Sequence, residues 1–370
     1  MKNTMNLNES VQITDGFTQT CADGATLAFD SKYGIMFCAY MPGYHGDYGE
    51  SRGKIALSYF PASQPTNIKF VDIASGHTEY VPNLISLGEG RVRVFYEKDS
   101  REKGDHPVCY KDFDYITNSL SEEKIVMVKQ EDGSLVGLTQ SVQFAYLEKN
   151  GYHNHVFHAD EQIIVGGGAF FKGDDGLFYG AIASYLSEVV LMRSTDNMAT
   201  VEFFAIYPKQ VQYEFDYRFL EGKIYAIYRK NFGKNAILYT TSEDFGKTWS
   251  EPIAFEESIE CRPRIVVHNG HILMAYNYYC DDTDNRPKVT WMGRTAIRLC
   301  YIDRKNADGI VQTAEIKSKY GIVNISLIDV LGDLYMAYST SILALEYLNG
   351  TSYVRGKDAV RYVNLGNLII

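Results

Sequence analysis

The chain has 370 residues, with 46 acidic against 36 basic side chains and a formal net charge of −10. That balance excludes a surface built to wrap a polyanion, because counterion-release binding needs clustered Lys and Arg. No apolar run of about 18 residues occurs that would span a bilayer, so neither nucleic acid nor membrane is an expected partner.

The opening stretch MKNTMNLNESVQITDG lacks the apolar core of a secretion signal. It predicts a cytoplasmic protein, or an extracellular or periplasmic one if a leader has been trimmed. Only 9 prolines stand beside 29 tyrosines and 19 phenylalanines, a composition that favours strands, since aromatic rings pack well on a pleated surface. Further along, one unit recurs: a glycine, then alternating apolar positions, then an aromatic six residues on. It is first met at 34–40 (GIMFCAY) and is followed by a loop, Tyr44-His45-Gly46-Asp47-Tyr48-Gly49-Glu50, in which flexible glycines alternate with aromatics and acids. The second copy is 90–96 (GRVRVFY). After it comes an out-of-register stretch, 116–165, which contains a further match at 151–157 and the histidines His153, His155 and His158. His153 and His155 share one face of a strand and suit proton transfer or ligand binding, but no third ligand completes a metal site.

The remaining copies are 176–182 (GLFYGAI), 222–228 (GKIYAIY), 270–276 (GHILMAY) and 332–338 (GDLYMAY). Each glycine follows an apolar stretch, so the unit reads strand, tight turn, strand. A second hairpin follows every copy: ALSYFPASQPT, CYKDFDYITNS, LMRSTDNMATVEFF, YTTSEDFGKTWSEP, CYIDRKNADGIVQ and LEYLNGTSYV. Two hairpins make a four-stranded sheet, and six such sheets predict an all-β, six-bladed β-propeller forming one domain over 1–370, with 116–165 as an insertion or, alternatively, a seventh blade. No amphipathic helix longer than about two turns is expected. Cys21, Cys38, Cys109, Cys261, Cys280 and Cys300 show no CxxC or zinc-type spacing and read as small core residues with free thiols.

Ser242, Asp244, Gly246, Thr248 and Trp249 match S-x-D-x-G-x-T-W, and Ser194, Asp196 and Thr200 form a weaker copy. This motif resembles the Asp-box, or BNR repeat, of the sialidase-like propellers. Physically it is a hairpin turn, in which Ser and Asp bond loop backbone, Gly supplies positive φ and Trp covers the blade. Asp244 and Asp196 therefore receive no catalytic role, and the resemblance implies that these turns lie opposite the active site.

If each glycine marks the same turn, the residues eight before and seven after it fall near one rim of the central pore. Those registers select Glu214, Arg262, Glu97, Arg229 and Asn277, among others. Arg229 matches the resembled family's carboxylate-binding arginine, and a guanidinium fork suits a sugar carboxylate. Arg262 or Arg264 would assist it. Glu214 or its neighbour Tyr213 opens the inner strand of that blade, and a strand register puts the two on opposite faces. Asp47 stands where sialidases carry their acid/base aspartate, and Tyr320 is the residue nearest their nucleophilic tyrosine. The family's Arg-Ile-Pro motif is missing from the first blade, where ADGATLAFD stands instead.

These residues predict an enzyme that cleaves a glycosidic bond at an acidic sugar. A hydrolase would use Asp47, Glu214 and Tyr320 as its catalytic groups. A polysaccharide lyase acting on uronates would pair Arg229 with Tyr213 or His155, with His153 close by. Neither chemistry needs a metal or redox cofactor. A non-catalytic glycan- or protein-binding propeller is the third possibility, since one fold serves many functions.

Overall fold

A computed structural model describes residues 3–5, 7, 10–14, 22–42, 54–75, 78–98, 105–153, 168–212, 214–230, 235–278, 296–303, 309–318, 321–341 and 359–368. They form six mainly antiparallel sheets arranged as the blades of a propeller. The first blade is Ala22–Asp30, Ile35–Pro42, Lys54–Pro61 and Lys69–Ser75. The second begins with Thr78–Gly88 and Arg91–Lys98 and the third with Phe171–Lys172 and Phe178–Ile182. Phe215–Leu220 and Lys223–Arg229 open the fourth, Arg264–His268 and His271–Asn277 the fifth, and Gly321–Val330 and Asp333–Ser341 the sixth.

Strand periodicity explains how the ring is held. In Ile35–Pro42, Phe37, Ala39 and Met41 pack toward the second blade, whereas Met36, Cys38 and Tyr40 pack toward the sixth. Successive side chains point to opposite faces, so a blade enclosed on both sides is apolar at every position rather than at alternate ones. Six hydrophobic clusters result, one at each junction between neighbouring blades. The repeat aromatics Tyr40, Tyr96, Tyr228, Tyr276 and Tyr338 all face the preceding blade. All six repeat glycines have positive φ, from 65° at Gly34 to 90° at Gly332, as the tight hairpin turn requires.

A ring of hydrogen bonds between inner strands reinforces the apolar junctions. Leu27 N–H donates to Ser326 Oγ (3.2 Å), Thr26 Oγ1 to Pro82 O (2.9 Å) and Asn83 Nδ2 to Gly168 O (2.7 Å). Asp216 accepts from Ala169 N–H and Ile265 N–H, both at 3.2 Å, and Arg264 Nε donates to Ile325 O at 2.9 Å. Every junction thus carries at least one such link. At Gly168 the chain runs so close to the fourth blade that an added Cβ would lie 2.5 Å from Phe215 O.

Two features depart from the sequence reading, and a third decides between its six- and seven-bladed alternatives. The sixth blade takes its third strand from Ala359–Gly366 and its fourth from Val11–Gln12, so the N-terminal segment closes the ring. The expected hairpin LEYLNGTSYV lies outside the described residues. A helix, Gln140–Lys149, exceeds the two turns allowed for. It escapes a hydrophobic-period search because Gln140 and Gln143 share its buried side with Phe144 and Leu147. Finally, the out-of-register stretch builds no seventh sheet among the described residues. Its hairpin Met127–Lys129 and Leu135–Gly137 extends the third blade through parallel pairing with Thr200–Gln212.

Candidate functional site

The turn from Ser242 to Trp249 forms as its residue types dictate. Ser242 Oγ donates to Asp244 Oδ1 (2.9 Å), which also accepts from Thr248 N–H (2.8 Å), and Gly246 N–H donates to Ser242 Oγ (2.8 Å). The Trp249 indole donates to Ile206 O (3.2 Å) and sits edge-on to Tyr207. Ser194, Asp196 and Thr200 repeat the pattern in the third blade. Because Ser242 pairs with Ile224 and Ile237 with Arg229, this turn lies at the opposite end of its blade from Arg229.

At that other end the inner strands of the fourth and fifth blades bring charge together. Arg229 Nη1 lies 3.0 Å from Glu214 Oε2, and its Nη2 lies 3.6 Å from Glu260. Arg229 N–H also donates to Glu214 O at 3.0 Å, so the last residue of one strand is clamped to the residue just before its neighbour begins. Two residues along, Asp216 holds Arg218 at 2.7 Å and approaches Arg264 at 3.9 Å. Glu214, Asp216 and Arg218 alternate along one face of the chain, as do Arg262 and Arg264.

Arg262 differs from the rest. It is 3% exposed, and its Nε and Nη1 are enclosed without a hydrogen-bond partner. Burial, and then the neighbouring Arg262 charge, pulls Arg264 down to about 9, with Asp216 opposing the shift. Arg264 therefore still carries its proton at neutral pH. Arg218, Arg229 and Arg264 pair with the three carboxylates of Glu214, Asp216 and Glu260, whereas Arg262 pairs with none of them. One positive charge is left over, and a buried charge without a counterion is costly unless an anion joins it.

Of the residues selected from sequence, Glu214, Arg229, Arg262 and Arg264 are brought together here. Asn277 is fully buried and links two blades, donating to Ala296 O (3.2 Å) and Ile322 O (2.8 Å). Glu97 is buried in the second blade. His153 is exposed beyond the C-terminal end of the helix Gln140–Lys149 and makes none of the contacts that join the cluster. Asp47, Tyr213, His155 and Tyr320 lie outside the described residues. Sequence reading missed Asp216, Arg218 and Glu260. The first two were signalled by the alternation in EFDYR, whereas Glu260 precedes its strand and carried no periodic signal. No cluster of metal-ligating side chains occurs among the described residues.

Six blades in a ring, with this turn chemistry at one end and a charged mouth at the other, define a sialidase-like β-propeller fold. Solved structures agree. Trypanosoma rangeli sialidase superposes with a TM-score of 0.60 at 14% identity over 99% of this chain and 59% of that one. The same enzyme in complex with sialic acid gives 0.61 at 14% identity, over 99% and 58%. The K499G mutant of NanB sialidase from Streptococcus pneumoniae gives 0.60 at 12% identity, over 96% and 70%. The chain thus spans about three-fifths of the T. rangeli proteins it resembles. No family profile matches it, and no curated protein matches it in sequence. No helix among the described residues is long and apolar enough to cross a membrane.

Proposed function

We propose that this protein is a carbohydrate-active enzyme that cleaves a glycosidic bond at an acidic sugar, as a sialidase-like glycoside hydrolase. The observation that carries the reading is the uncompensated guanidinium of Arg262, buried beside Arg264 at the pore mouth. A sugar carboxylate is the anion this arrangement lacks, and Arg262 would receive it through paired N–H donors. Arg229 is already occupied by Glu214 and Glu260, so its part is to hold Glu214 in place and to contribute field. Glu214 would polarise a nucleophile, for which Tyr320 is the candidate, and Asp47 would serve as acid/base. The complex of T. rangeli sialidase with sialic acid makes sialylated glycans the first substrates to try.

The test compares kcat/KM on an acidic glycan and on its carboxyl-reduced analogue, for wild type and Arg262→Met. The wild type should favour the acid at least tenfold, a difference of about 1.4 kcal/mol, and the variant should lose that preference. Uronate-rich glycans run in parallel separate hydrolysis from β-elimination, because only elimination leaves an unsaturated, ultraviolet-absorbing sugar. Full retention of the preference by a folded Arg262→Met would refute the assignment. Inertness of the wild type on both glycan classes would favour a binding propeller.

A further inference from the structure

Below the charged mouth the central pore widens into a chamber of about 630 Å³, open toward the glycine-turn face. Each blade contributes to its wall, through Leu27, Leu84, Phe171, Phe219, Val266 and Leu327. The wall also carries Ser86, Lys172, Asp174, Asn197 and Asp329, and one guanidinium enters it. Arg218 is 7% exposed, its Nη1 is held by Asp216 Oδ1 (2.7 Å) and Tyr217 O (2.6 Å), and its plane lies over Phe171 at 4.6 Å from the ring centre. Its Nε and Nη2 make no hydrogen bond to the protein, and Arg218 lines the chamber.

We propose that the chamber is a second ligand site, distinct from the sugar site, and that it takes a small monocarboxylate. The Nε and Nη2 edge of a guanidinium pinned at Nη1 presents two parallel N–H donors, the geometry that fits a carboxylate. Asp216 does not neutralise this edge alone, because it is shared between Arg218 and Arg264. Of the other charges on the wall, Asp329 is held by His268 (2.6 Å) and by Gly332 N–H (3.2 Å), and Lys172 lies over the Phe178 ring at 5.7 Å from its centre. A wall that mixes aliphatic, aromatic and polar groups around a fixed guanidinium suits a small-molecule pocket, and the volume falls in the usual range of roughly 300–1,000 Å³.

Benzoate is the probe and benzyl alcohol its uncharged control, titrated calorimetrically into the full chain. Benzoate should bind at least about tenfold more tightly than the alcohol, and Arg218→Lys, which keeps the charge but not the fork, should remove most of that difference. Arg262→Met should leave benzoate affinity within about twofold, since it acts on the other site. Thermal unfolding of each variant, with and without benzoate, shows that loss of binding is not loss of fold, and the wild-type comparison needs no variant. Equal affinity for acid and alcohol would overturn the proposal. So would benzoate binding abolished by Arg262→Met and untouched by Arg218→Lys, which would place the ligand at the mouth.

Discussion

Asp216→Asn changes one buried atom and should cost more than most core truncations. Asp216 is 1% exposed and accepts from the backbone N–H groups of Ala169, Tyr217 and Ile265, which belong to three successive blades. An amide can keep Oδ1 as the acceptor for Ala169, Tyr217 and Arg218, but it turns an N–H toward Ile265 N–H and Arg264 in place of Oδ2. The lost acceptor leaves one buried donor unsatisfied, about 1–3 kcal/mol. Removing the charge also leaves Arg218 and Arg264 without their shared counterion, and breaking a buried pair in this way costs about 3–5 kcal/mol. These effects overlap, so the expected loss is about 4 kcal/mol in equilibrium urea unfolding. Replacing Arg264 by Met in the same chain should recover at least about 1 kcal/mol of that loss, because the stranded charge disappears with it. A cost for Asp216→Asn below about 1 kcal/mol, or strict additivity with Arg264→Met, would refute the claim that this carboxylate binds the blades by charge.

Trp249→Ala should destabilise the fold by about 3 kcal/mol while leaving kcat/KM of the folded fraction unchanged, since the indole packs on Tyr207 at the end of the blade opposite Arg229. Selective loss of turnover in a stable variant would contradict that. Hydrogen bonds from the Thr248 hydroxyl and N–H, and then from Ser242, hold the Asp244 carboxyl down to about 2. Its folded value lies below the ordinary value of about 3.9, so its contribution is full above about pH 4 and is lost as pH falls toward 2. A carbon-detected NMR titration should place Asp244 near 2 and show it rising in Thr248→Val; an unchanged value would refute the cause. Burial pushes the Cys38 thiol well up and, with help from Glu123, takes Cys109 up to about 12. Neither should react with a maleimide near pH 8 until the chain unfolds, and site-resolved mass spectrometry showing native labelling at the rate of a free thiol would disprove it.

The propeller was legible in the chain because its cause is local and repeated. A glycine that permits positive φ, strands apolar at every position and, in five of the six copies, an aromatic six residues on are properties of one blade. The same blade recurs because each can bury its faces only against neighbours like itself. The turn at Ser242 was legible for the same reason, since the bonds made by its Ser, Asp, Gly and Thr lie within eight residues. Closure of the ring was not, because Val11–Gln12 becomes a strand only when Ala359–Gly366 offers its edge. The helix Gln140–Lys149 was hidden because its buried glutamines find hydrogen-bond partners 44 residues away, Gln140 in Ser184 and Gln143 in Ser187. Charge at the pore mouth was partly readable: register picked out Glu214, Arg229 and Arg262 as residues of one rim. Which arginine is already paired and which is left over was decided only in three dimensions. Glu260 reaches Arg229 across a blade junction and Asp216 bridges three blades. Periodicity tells which face a side chain leaves from, whereas its counterion is set by whatever the neighbouring blade presents there.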